Sequence, residues 1–177
     1  MPTFFAFDDR PLTWFRQGTD EFMSDGLLKA IRLNKHYLQS PVDDLWSFYY
    51  VAQWAAVFNN TNFSESTPVP AELMELRRLI AGSEGDRLLC TREVTRPPLD
   101  QTEYGQFLAD CCPILREWDS ILDRLTTDWK VAKVDLTNGN LYEARYPYFR
   151  NYTNRGVLEL LQLVQKHFPG SLSGLSC

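Results

Sequence analysis

The least polar stretch of the chain runs from Ser40 to Phe58, and it predicts the central helix. Ser40, Pro41 and the first of two aspartates, Asp43, are typical of a helix start, because a Ser cap, an early Pro and negative charge all suit the N-terminal turn. From Leu45 to Phe58 there is no charge, and apolar side chains occupy the whole circumference. This pattern predicts a helix buried on every side, with Trp46 and Trp54 in the core, rather than a membrane span, which needs about 20 apolar residues.

Apolar residues at steps of three and four residues predict helices on both sides of this segment. One begins at Thr19 and ends before Ser40, another covers Ala71 to Ala81, and a third runs from about Asp100 to Thr126. Pro113 lies in the third stripe and predicts a kink or a break there, since proline cannot donate a helical hydrogen bond. Arg87 to Thr95 fits either a strand or a helix.

The pattern changes in the last third of the chain, where two short runs predict a β-hairpin. The strands are Trp129 to Leu136 and Asn140 to Phe149. A three-residue loop with Gly139 in the left-handed conformation sets Val134 beside Tyr142 and separates apolar from charged faces, whereas a two-residue turn mixes them. Pro147 then ends the pairing or places this strand at an edge. Thr3 to Phe7 is a candidate for a further, N-terminal strand.

A final helix is predicted from Val157 to His167, with an inner stripe made of Leu158, Leu161, Val164 and Phe168. The predicted fold class is therefore α+β and mainly helical, in a single domain spanning residues 1–177. A helical body of about five helices covers residues 12–127, the C-terminal β-hairpin and final helix cover 128–169, and a short flexible tail covers 170–177.

Composition narrows the class of protein. The chain has 177 residues, 44% of them hydrophobic, which suits one domain with its own core. A net charge of −5 disfavours a protein that coats nucleic acid. The N-terminus lacks the pattern of a secretory leader, and the four cysteines have no metal or disulfide spacing. We therefore expect a soluble, cytoplasmic protein with reduced thiols, no metal, no cofactor and no membrane partner.

Catalytic motifs are missing from the sequence, which leaves only an assembled site as an enzymatic possibility. There is no phosphate-binding glycine loop, HExxH motif or nucleophile elbow. His36 and His167 fit surface or helix-capping roles, and Cys90, Cys111 and Cys112 fit packing in a helical core better than catalysis. An enzyme whose site combines carboxylates and a thiol from different helices stays open as the alternative, with no catalytic residue identified.

Carboxylates cluster along the predicted third helix. The cluster comprises Asp110, Glu117, Asp119 and Asp123, and the last two are a like-charged pair four residues apart. A solvated acidic surface is the simplest interpretation. A surface that meets a basic protein partner is the next, ahead of a divalent-metal site.

Residues 129–155 differ from the rest of the chain in charge and in aromatic content. Five basic residues stand against two acidic ones, a net charge of +3, and six aromatic residues lie among them. Arginine and aromatic side chains together are typical of protein interfaces and of sites that stack nucleic-acid bases. The candidate partner-binding residues are Arg145, Tyr148, Phe149, Arg150, Tyr152 and Arg155.

The function that the sequence favours is protein binding. We expect a small interaction module, such as an adaptor, an inhibitor or an immunity-type neutraliser, with an acidic helical face and an Arg/Tyr-rich hairpin as its contact surfaces. Besides the enzyme, the second alternative is a single-stranded nucleic-acid binder that uses the hairpin, which the acidic net charge makes the less favoured one.

Overall fold

The computed structural model describes residues 22–35, 37, 39–61, 63, 67–96, 100–137 and 141–169, although not the side chains of 84, 101, 102, 133–137 and 141–145. Across these ranges the chain forms seven helices and no β-sheet. The helices are α1 (Asp25–Arg32), α2 (Pro41–Phe58), α3 (Ala71–Ile80), α4 (Glu84–Thr95), α5 (Gln101–Tyr104), α6 (Gln106–Thr137) and α7 (Leu141–His167). The predicted α+β class is wrong. The predicted strand at Thr3 to Phe7, the loop at Gly139, His36 and the tail at 170–177 lie outside the described residues.

The segment predicted as a β-hairpin forms the end of α6 and the beginning of α7. Leu125 and Trp129 are both buried, four residues apart, so the apolar stripe of α6 continues into the predicted first strand. Phe149 and Tyr152 of α7 place their rings 5.4 and 5.3 Å from the ring of Trp129. Both segments therefore follow a helical period. This period was not visible in the two predicted strands, because each is a short run of apolar and aromatic residues when taken separately. Pro147 lies inside α7 and does not end an element.

A buried carboxylate organises the junction between α1 and α2. Asp43 accepts hydrogen bonds from the backbone N–H and the hydroxyl of Ser40, at 2.7 and 2.9 Å. It also accepts from the hydroxyl of Ser24, the N-cap of α1, at 2.5 Å and from the phenol of Tyr37 at 2.8 Å. Since one side chain satisfies donors from the start of each helix, it fixes the angle at which the chain enters α2.

The central helix is confirmed as a helix, but only one of its sides is buried. Tyr49 and Val57 are fully buried where α2 packs against α3, α6 and α7. Trp46 is partly buried, and its indole N–H donates to the hydroxyl of Thr126 in α6 at 2.8 Å. Trp54, which was predicted to lie in the core, has 41% of its surface exposed. The prediction of burial on every side is therefore wrong for the part of the chain that the structure describes.

The other helices bear on two further predictions. Arg87 to Thr95, which fitted a strand or a helix, belongs to α4. The stripe after Asp100 forms α5 and the long α6, and α6 continues through Pro113, so the predicted break is wrong and the alternative of a kink stays a prediction. Arg116 of α6 donates from Nε to the carbonyl of Thr95 at 2.7 Å, so α6 also satisfies an unpaired carbonyl at the end of α4.

Two polar residues are paired inside the core between α2 and α4. Gln53 is completely buried, and its amide nitrogen donates to the hydroxyl of Thr91 at 3.1 Å. A buried amide without a partner would cost about 1–3 kcal/mol, so this pair fixes the register of the two helices. Among the helices of the described ranges, none is both long enough and apolar enough to cross a membrane.

Candidate interaction surface

Two of the predicted partner-binding residues point into the protein. Tyr152 is buried, and Phe149 is partly buried against the core. Both rings pack against Trp129: that of Tyr152 is edge-on, with an interplanar angle of 79°, and that of Phe149 is tilted at 59°. These aromatic residues therefore hold α7 against α6 and are not available to a partner.

Arg155 is also engaged within the protein. Its Nη1 donates to Asp128 of α6 at 2.7 Å, and its Nε donates to Glu159 at 3.0 Å. These two hydrogen-bonded carboxylates raise the pKa of Arg155. Arg124 of α6 pairs with Glu159 as well, so the cluster links α6 to α7. Arg155 contributes to the contact between two helices, which reduces its part in any external contact.

Tyr148 and Arg150 are exposed, whereas the side chain of Arg145 lies outside the described part of the structure. Tyr146 precedes Arg150 by four residues and therefore lies on the same side of α7. It has 68% of its surface exposed. Tyr148 points to another side of the helix, because two residues correspond to about 200° of rotation. The exposed members of the predicted partner-binding set, Tyr148 and Arg150, thus lie on different sides of α7.

Apolar side chains continue the exposed side of α7 toward its C-terminal end. Val157, Leu158 and Leu161 are all more than two-fifths exposed. At 100° per residue they fall with Tyr146 and Arg150 inside an arc of about 120°. We call these five residues the α7 outer face. At about 1.5 Å per residue it extends for roughly 22 Å along the helix.

The predicted inner stripe of the last helix is wrong, because Leu158, Leu161 and Phe168 are exposed. The buried side contains Gly156 and Leu163 instead. A Cβ atom at Gly156 would collide with the side chain of Leu45, so the glycine allows α7 to approach α2 closely. The sequence signal for this orientation was the glycine, which marks a position of close helix contact better than the leucines do.

The acidic cluster of α6 is only partly available. Glu117 accepts hydrogen bonds from Lys166 at 2.7 and 2.8 Å and lies 3.2 Å from His167, both at the end of α7. Asp119 is half-buried, and burial together with the nearby Asp123 raises its pKa to about 6. Asp110 and Asp123 are exposed. Glu117 therefore joins α6 to α7, and the acidic surface available to a partner is smaller than the sequence indicated.

The thiols of the described chain have the environment of packing residues. Cys90 and Cys112 are buried, and burial raises the pKa of each thiol to about 12. Burial raises the pKa of Cys111 as well. A nucleophilic cysteine needs a lowered pKa, since the thiolate is the reactive form. In the ranges that the structure describes, no three His, Cys, Asp or Glu side chains are grouped so that they could hold a metal ion.

A second exposed apolar surface was missed by the sequence analysis. Phe48 and Val51 of α2 have 62% and 46% of their surfaces exposed, and they lie with Trp54 along one side of the helix. We call Phe48, Val51 and Trp54 the α2 outer stripe. Because α2 is apolar around its whole circumference, its sequence could not show which side faces outward.

Comparisons of the chain with protein-family models, with curated proteins and with solved structures gave no match.

Proposed function

We propose that this protein is an interaction module that binds a protein partner through the α7 outer face, as an adaptor, an inhibitor or an immunity-type neutraliser would. The observation that carries the proposal is the row of exposed side chains from Tyr146 to Leu161 on one side of a 27-residue helix. Helices that dock into grooves use apolar anchors at such helical spacings.

The chemistry of the row indicates the kind of partner. Tyr146 and Arg150 are of the residue types that contribute most to protein interfaces, and Val157 and Leu161 supply apolar area. The complementary surface is an apolar groove with an acidic residue near the position of Arg150. The acidic part of the proposed contact is reduced to Asp110 and Asp123 of α6.

The other two hypotheses have less support in the described residues. The thiol pKa values oppose a cysteine nucleophile, and Arg155, one of the basic residues that pointed to nucleic acid, is paired with Asp128 and Glu159. Protein binding is therefore the function that we carry forward.

The test is affinity purification from the native host, followed by mass spectrometry, with three forms of the tagged full-length chain. These are the wild type, Tyr146→Ala/Leu161→Asp, and a control, Leu89→Asp, which changes an exposed leucine of α4. Circular dichroism first establishes that all three have the same helix content and thermal midpoint.

We expect the wild type and the α4 control to capture the same partner and the α7 variant to lose it by more than tenfold. Equal capture by the α7 variant would remove the α7 outer face as the interface. Capture of nothing beyond a tag-only sample by the wild type would contradict protein binding in that host.

A further inference from the structure

A buried arginine lies where α1, α2 and α4 meet. Only 3% of the Arg87 side chain is exposed, and its guanidinium lies over the ring of Tyr50, 4.1 Å from the ring centroid. Removing the counter-charge of a buried cation is strongly unfavourable, so the position in front of this guanidinium demands an anionic acceptor.

Two donors converge on one oxygen at that position. Nη2 of Arg87 donates to Oδ1 of Asp25, the first residue of α1, at 2.5 Å, and the hydroxyl of Tyr50 donates to the same oxygen at 3.2 Å. Burial, together with the nearby carboxylate of Asp25, raises the pKa of Tyr50, so the phenol stays protonated and remains a donor. A guanidinium and a phenol aimed at one oxygen are suitable donors for a carboxylate.

The donors and the acceptor belong to different parts of the fold. The ring of Tyr50 is packed in the apolar core, whereas the Asp25 side chain is 41% exposed, so the position it fills can be reached from solvent. The buried residues of α1, Leu28 and Ala30, are not part of the apolar core that joins α2, α3, α4, α6 and α7. Polar contacts such as the one at Asp25 therefore connect α1 to the other helices.

We propose that Arg87 and Tyr50 form a binding site for a carboxylate ligand, and that Asp25 of α1 occupies this site in cis. A ligand carboxylate takes over the same two hydrogen bonds when it replaces Asp25. Because Asp25 is attached to the same chain, its local concentration is about millimolar or higher, and it competes with any free carboxylate. The first helix is thus an internal competitor that keeps weak carboxylate ligands out of the site.

Titration of the full-length chain with sodium formate, a carboxylate small enough to replace the side chain of Asp25, tests the site. Asp25→Ala removes the internal carboxylate, and amide ¹H–¹⁵N shifts follow binding, with sodium chloride at equal ionic strength as the reference. The matched control is Glu75→Ala, which removes the carboxylate partner of an exposed arginine, Arg78.

The inference predicts saturable formate shifts at the amides of Tyr50 and Arg87 in Asp25→Ala, and no such shifts in the wild type or in Glu75→Ala. Formate at about ten times its Kd should also raise the thermal midpoint of Asp25→Ala by about 3–6 °C more than chloride does. Adding Tyr50→Phe to Asp25→Ala removes one donor and should weaken formate binding by about tenfold or more.

Three results would overturn the inference. The first is an Asp25→Ala variant that responds to formate no more than to chloride. The second is an equal response in the wild type or in Glu75→Ala, since binding would then be independent of Asp25. The third is an unchanged formate affinity after Tyr50→Phe. If Asp25→Ala is unfolded in chloride, its circular dichroism at 222 nm is followed as formate replaces chloride, and failure to recover the helical signal overturns the inference equally.

Discussion

Trp129 and Val131 provide a sharp test of the helical C-terminal third, because a helix and a strand place them differently. In a strand, residues two apart share a face, whereas in a helix they are separated by about 200°. In the structure Trp129 is 5% exposed and Val131 is 68% exposed. Trp129→Ala should therefore be costly, and Val131→Ala should not.

The magnitude follows from what the indole touches. Truncation of a buried Trp to Ala costs about 3–5 kcal/mol. Part of this loss comes from the two ring contacts with Phe149 and Tyr152, at about 0.5–1.5 kcal/mol each. Val131→Ala should change the free energy of unfolding by no more than about 0.5 kcal/mol, as expected for an exposed position.

Urea denaturation followed by circular dichroism at 222 nm measures both variants. With a urea dependence of about 1–3 kcal/mol per molar, the midpoint of Trp129→Ala should fall by at least about 1 M, and that of Val131→Ala should stay near the wild-type value. Similar losses in the two variants would refute the burial pattern and favour a strand.

Three further predictions concern the core and its ionisable groups. Thr91→Val should lower the free energy of unfolding, measured by urea denaturation, by about 1–3 kcal/mol, because it leaves the buried amide of Gln53 without its partner. Adding Gln53→Leu should recover part of that loss. A double variant no more stable than Thr91→Val alone would contradict the pairing. Burial and a neighbouring carboxylate raise the pKa of Asp119 from 3.8 to about 6, so the stability that this group contributes is complete below about pH 4 and is lost as the pH rises through 6. Between pH 4 and pH 7 the thermal midpoint of the wild type should accordingly fall more than that of Asp119→Asn. Parallel plots of thermal midpoint against pH for the two proteins would contradict a raised pKa at Asp119. At pH 8 an alkylating reagent should modify Cys90 and Cys112 far more slowly in the folded protein than in urea, with mass spectrometry as the readout, and equal rates would argue against their burial.

Local signals in the sequence predicted α2 and α3 well, whereas the helix predicted from Thr19 to just before Ser40 was too long at its C-terminal end, since α1 ends at Arg32. Ser40, Pro41 and Asp43 identified the start of α2, because caps and first-turn carboxylates act within a few residues of each other. The regular leucine spacing of α3 was equally informative, since its buried and exposed sides differ clearly in polarity.

The C-terminal third could not be predicted in the same way, because its structure depends on contacts between distant residues. Short runs around Trp129 and Phe149 fit a strand or a helix until their packing partner is known. The close approach of Gly156 to Leu45 sets the orientation of α7, and in this orientation Leu158 and Leu161 face outward.

The candidate interaction surface differs from the predicted one because it too depends on contacts between distant residues. Tyr152 and Phe149 were chosen for their chemistry, yet their position on the helix turns them toward Trp129. Tyr146, a residue of the same type, is exposed, and it lies about 120° around the helix from Tyr152. Side-chain chemistry thus identified the region of the proposed surface, and helix rotation selected which residues belong to it.

Backbone chemical shifts of the full-length protein in solution test the central claim most directly, which is that residues 129–137 and 141–149 belong to two packed helices and not to a hairpin. The account predicts helical ¹³Cα and ¹³Cβ shifts for residues 129–136 and 141–149, with side-chain contacts between Trp129 and Tyr152. Strand-type shifts in the same segments, with close Hα–Hα contacts between Val134 and Tyr142, would contradict it.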